Sequence, residues 1–103
     1  PVNAFTLLPP RAVQVTRVAE QVGSFAKTER SVRKWCKACG GHLFTEHPAW
    51  DLIDVYAATI PELPFEPMLH VNYSETALRL HDGLPKQHDF PAEMGGSGRL
   101  LAE

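Results

Sequence analysis

The chain is short of cysteine, of long apolar runs and of any surplus of one charge. Two cysteines in 103 residues exclude the disulfide framework that staples many small secreted domains. No apolar stretch of the sequence approaches the roughly 18 residues of a membrane helix, and no charged-then-apolar leader opens it. Ten basic and twelve acidic residues leave a net charge of -2, with no basic run to neutralise phosphates. Nucleic acid and membrane are therefore not expected partners, and the expected compartment is the cytoplasm. A chain of this length makes one domain, burying roughly two-thirds of the surface its unfolded form exposes.

What the sequence has in quantity is punctuation. Nine prolines and seven glycines separate apolar runs of four to seven residues, the spacing of antiparallel strands rather than of βαβ units. Strands are expected at residues 2–8, stopped by Pro9-Pro10, and at 12–18, where "AVQVTRV" alternates with a period of two. Others are expected at 21–25, 31–35, 43–45, 52–58 and 68–73. The proline-rich stretch 60–67 reads as a connection with one helical turn at 61–63, and Ser74-Glu75 as the start of another. The fold class is mainly β. Residues 1–92 form the domain, and the glycine-rich 93–103 reads as a flexible tail.

Both cysteines lie in "KWCKACGGHL", residues 34–43. Two residues between them let both sulfurs meet one tetrahedral metal if the backbone turns sharply after the second, and Gly40-Gly41 tolerate the positive φ of such a turn. Cys36 and Cys39 are thus candidate zinc ligands. The spacing leaves two other readings open, a thioredoxin-like redox pair and two free thiols. The glycines oppose the helix start a redox pair uses, and Gly40 stands where haem attachment needs histidine. A closed structural zinc takes four ligands. His42 is near enough in sequence to be one, but on a strand leaving the turn it is expected to point away. His47, His70, His81 and His88 read as solvated or core side chains, and a second copy of the chain could supply two more thiolates.

No catalytic set emerges. Asp51 and Asp54 bracket a strand at a spacing of three, which puts them on opposite faces. Phe44, Trp50, Tyr56 and Phe65 read as core aromatics, and Arg11, Arg17 and Arg33 as solvated strand residues.

Aromatic-Cys-x-x-Cys-Gly-x-x-Leu at residues 35–43, followed by "DGLPK" at 82–86, resembles the glutathione-dependent formaldehyde-activating enzyme family of carbon-sulfur lyases. "VNAFTLLPPRAVQVT" and "GSFAKTERSVRKWC" are similar to the stretches that precede the cysteine pair in its members. The resemblance implies a β-tent fold of twisted antiparallel sheets held by a structural zinc, with Cys36 and Cys39 as two of its four ligands. In the family, a Cys-x-Cys motif near the amino end supplies the other two. Further cysteines there bind a catalytic zinc that takes the thiol of glutathione. Pro1 aligns just after those cysteine groups, so what stands here resembles the carboxyl-terminal two-thirds of a member. The expectation is a catalytically incomplete chain with no catalytic residues of its own. Its zinc is partial or shared between chains, its expected partner is a second copy, and its expected ligand is a small thiol such as glutathione. The alternative is a non-enzymatic β-rich binding module.

Overall fold

The computed structural model describes residues 2–103, and Pro1, where the expected domain begins, lies outside them. The chain is mainly β, with short 3-10 turns as its only helical elements among the described residues. Contacts divide it into two compact units, residues 4–65 and residues 66–103 with residues 2–3.

The first unit is a five-stranded antiparallel sheet. Its strands are β1 (Phe5–Leu8), β2 (Val22–Thr28), β3 (Ser31–Cys36), β4 (His42–His47) and β5 (Leu52–Tyr56), in the spatial order β1-β5-β4-β3-β2. Tight turns join β2 through β5 into a meander, and β1 returns to the outer side of β5. Because side chains alternate along a strand, register decides what shares a face. Glu46 stands opposite Ile53 and Phe44 opposite Val55, and Ile53 and Val55 are the buried apolar residues of that face. Thr45 stands opposite both Arg33 and Asp54, so the other face carries a polar row across three strands.

Two expectations fail in this unit. Residues 13–18 form no strand. A 3-10 turn at Pro10–Ala12 breaks the run, and Val18 adopts a left-handed conformation (φ 47°) ahead of a second turn at Ala19–Gln21. Val15 and Val18 are exposed, so the period-two pattern had no buried face to serve. The helical turn expected at 61–63 lies earlier, at Ala57–Thr59, and 60–63 form a hydrogen-bonded turn instead.

The second unit has a two-stranded sheet, β6 (Lys86–Gln87) with β7 (Leu100–Leu101). The strand expected at 68–73 is reduced to a single parallel bridge between His70 and Lys86. A 3-10 turn follows at Tyr73–Glu75. Ser74 sits inside it and donates its hydroxyl to the His88 carbonyl instead of capping it. The tail 93–103 carries structure that its composition does not suggest. Asp89 Oδ1 accepts from the Phe90 amide and from both the amide and the hydroxyl of Ser97, and β7 then pairs with β6.

Buried at the centre of this unit are Tyr73 and Lys86, the latter 1% exposed. Lys86 Nζ donates to the Leu84 carbonyl (2.9 Å), to Glu103 Oε1 (3.0 Å) and to Asp82 Oδ1. Asp82 Oδ2 is engaged by His70 Nε2 at 2.7 Å. Burial pulls the Lys86 ammonium down, and the hydrogen bonds to Asp82 and Glu103 outweigh it, so its pKa lies above the ordinary value. The hydrogen bond from Lys86, then that from His70, holds the Asp82 carboxyl well below the usual carboxylate range. Lys86 does the same for Glu103, and Ser97 for Asp89.

These three carboxyls have folded pKa values below their unfolded ones. The stability they contribute is therefore present above the ordinary carboxylate range and is lost as pH falls through the folded values. Amide hydrogen exchange should show Gly83, Gln87 and Ser97 losing protection on acidification below about pH 4. Protection unchanged down to pH 2 would remove the carboxylates from the account. In the sheet, a Cβ at Gly23 would meet the Trp35 ring at 2.5 Å. Gly23→Ala is expected to destabilise by about 1–3 kcal/mol through overpacking, read by denaturant titration of tryptophan fluorescence.

Candidate functional site

β3 ends at Cys36 and β4 begins at His42. Between them the Cys36 amide donates to the Gly41 carbonyl (2.9 Å) and the Gly40 amide to the Cys36 carbonyl (2.7 Å). Gly40 closes the loop at φ 78°, a conformation open to glycine and strained for other residues. The loop is tied to the entry of β2 by the Lys37 amide on the Gln21 carbonyl (2.7 Å). So fixed, it aims backbone donors at sulfur: the Gly41 amide lies 3.4 Å from Cys39 Sγ. The Cys36 thiol is pulled below its ordinary pKa by the backbone N–H of Cys39 first, then that of Ala38, then the Cys39 thiol, against a smaller opposing effect of burial. Donors to the charged form favour the thiolate, the form that binds metal. Cys36 is half-buried, Cys39 is exposed and both are free.

Two thiols are half the donor set that a closed zinc site needs. Among the described residues no group of three or more His, Cys, Asp or Glu could hold a metal ion. His42 is not brought to the sulfurs. A bulge between Lys34 and Trp35 places it opposite Trp35, and its Nε2 meets Thr45 Oγ1 at 3.3 Å while its ring lies 4.3 Å from that of Tyr56. Burial lowers its pKa, the form of histidine a half-buried polar face favours. Burial, reinforced by the Asp54 charge, raises that of Tyr56.

The polar face has a second feature. His47 ends β4, and it stands opposite Leu52 across the turn Pro48–Trp50. Asp54, two residues beyond Leu52, therefore projects on the same face, and its Oδ2 lies 2.7 Å from His47 Nε2. A carboxylate only accepts, so His47 Nε2 is the donor of this pair. The Trp50 ring lies 5.0 Å from this imidazole, tilted 39° to it. Asp54 Oδ1 is buried with no hydrogen-bond partner among the described residues. Asp51 sits apart in the turn at φ 53° and joins no acid pair with Asp54. An open groove of about 200 Å³ beside this dyad is lined by Pro10, Glu46, His47, Pro48, Asp51, Leu52 and Ile53.

Sequence reasoning located the thiols and missed the dyad. The signal for it was a hairpin whose register makes positions 47 and 54 neighbours, and spacing along the chain does not show that. If Asp54 holds the imidazole, nitrogen-edited NMR should show a slowly exchanging His47 Nε2 proton that disappears in Asp54→Ala, with stability reduced by about 1–3 kcal/mol. Persistence of that proton in the variant would refute the pairing. Comparison of this chain with protein-family models, with curated proteins and with solved structures gives no match.

Proposed function

We propose that the chain is a member, or a piece of a member, of a zinc-dependent carbon-sulfur lyase-like family of the formaldehyde-activating type, with the β-tent as its fold. The observation that carries this reading is the turn at Cys36 and Cys39, where backbone N–H groups favour a thiolate. Cys36 and Cys39 would hold a zinc ion by two thiolates, and the ion would serve structure by fastening the β3–β4 turn to whatever supplies the remaining ligands. Those ligands come from outside the 103 residues, since the sequence has no third cysteine and no described histidine is at hand. The same arithmetic leaves no thiolates for a second, catalytic metal, so these residues alone are catalytically incomplete. The mainly β architecture is compatible with the reading, and a reducing compartment such as the cytoplasm suits two free thiols. The small-thiol ligand, glutathione or a relative, rests on the resemblance.

A second reading, a non-enzymatic β-rich module that pairs with itself, draws on β2. This strand is an edge of the sheet, and its Phe25 is 53% exposed.

Native mass spectrometry with zinc quantified per polypeptide tests the proposal. The expected result is one zinc per two chains in a dimer, through a shared four-thiolate site, with metal and dimer both lost in Cys36→Ser. No formaldehyde-glutathione adduct should form above the uncatalysed rate. A metal-free dimer that survives Cys36→Ser would favour the module, and zinc-free monomers with both thiols open to alkylation would overturn the metal reading.

A further inference from the structure

The "DGLPK" turn and the residue that rests in it form a second site, independent of the thiols. Glu103 brings one carboxylate to two hydrogen-bond donors, with an imidazole beyond them. Its Oε1 accepts from the Gly83 amide at 2.6 Å and from Lys86 Nζ at 3.0 Å, and its Oε2 lies 3.7 Å from His81 Nδ1. Lys86 does not depend on Glu103 alone for a counter-charge. Its buried ammonium already has the Asp82 carboxylate and the Leu84 carbonyl, and Asp82 is itself held by His70 and by the Leu84 amide. The turn would therefore stand without Glu103, presenting a backbone N–H, a fixed positive charge and an imidazole toward one point. An ammonium with a convergent N–H is the donor set that recognises a carboxylate. Lys86 is 1% exposed and cannot swing away, whereas Glu103 is one-third exposed and His81 lies mostly in solvent. The receptor is rigid and its occupant is accessible.

We propose that the turn 82–86 is a binding pocket for a small organic carboxylate, and that the Glu103 side chain is its resident competitor. An external acid takes the place of Glu103 on Gly83 N–H and Lys86 Nζ, and the segment that carries Glu103 is released from the turn as it binds. With one ion pair and one N–H contact, binding falls on the order of millimolar. A side chain tethered against the turn presents itself at an effective concentration on the order of 10 mM, so occupancy by Glu103 weakens an external acid by about tenfold.

The probe is acetate, read at the Gly83 amide by nitrogen–proton NMR, with sodium chloride at matched ionic strength and acetamide as controls. In Glu103→Ala the Gly83 resonance should move saturably with acetate and not with either control. In the parental chain the same curve should need about tenfold more acetate, with the Glu103 carboxyl carbon resonance moving alongside. N-Acetylglycine separates the sources of the ligand: tighter than acetate, it identifies a peptide terminus, and equal to acetate, a free small acid. A Gly83 shift that grows linearly, or that chloride reproduces, overturns the proposal. Should Glu103→Ala lose the dispersed spectrum of this unit, the parental titration decides. Displacement of the Glu103 carboxyl signal by acetate supports the pocket, and its absence at saturating acetate overturns it.

Discussion

Between Cys36 and Gly41 the backbone closes a loop through two hydrogen bonds, and the geometry of the larger unit follows from that closure. The loop sets the point from which β4 pairs back along β3. With the bulge at Lys34/Trp35, it puts Thr45 opposite Arg33 and turns His42 away from the sulfurs. A shift of one residue would exchange the faces of β4, moving Phe44 and Glu46 to where Thr45 and His47 now stand. The Thr45–Asp54 register on β5 then brings Asp54 to His47. Thiol geometry and the histidine dyad are two products of one turn and the pairing it starts.

The smaller unit solves a different problem. It has little apolar surface buried among the described residues, chiefly Tyr73 and Pro91, and it organises itself around a charge instead. A buried ammonium is tolerable only with partners. Lys86 therefore imposes the conformation of Asp82 and the Leu84 carbonyl on the turn, and through its neighbour Gln87 it fixes where β7 can pair. Tyr73 completes the surroundings. Its ring lies 5.9 Å from Lys86 Nζ and 5.5 Å from the Arg79 guanidinium, and its hydroxyl accepts from the Leu80 amide.

Much of the architecture was legible in the sequence, because strands bounded by glycine and proline carry their limits with them. β1 to β5 fall inside or against the expected segments, and of the two glycines expected to let the cysteine loop turn, Gly40 takes the positive φ. The failures share a cause. Alternation at 12–18 and apolarity at 68–73 describe side chains, whereas a strand exists only where a neighbour accepts its backbone, and one isolated bridge is what residue 70 obtains. The tail shows the converse. "GGSG" reads as slack, yet Asp89 gathers Ser97 and Phe90 by three hydrogen bonds and makes of it a closed loop. The His47–Asp54 pair was invisible because it depends on register, a relation between two strands.

The amide donors around Cys36 have a consequence that does not depend on any metal. Stabilising negative charge on sulfur is indifferent to what arrives next: the same thiolate that lowers the proton's competition with a soft cation is a nucleophile toward peroxides and alkylating agents. Cys39 is exposed and two residues away in the chain, so it stands ready to resolve an oxidised neighbour. Peroxides and alkylating agents would therefore meet the most reactive thiol of the chain where β3 turns into β4.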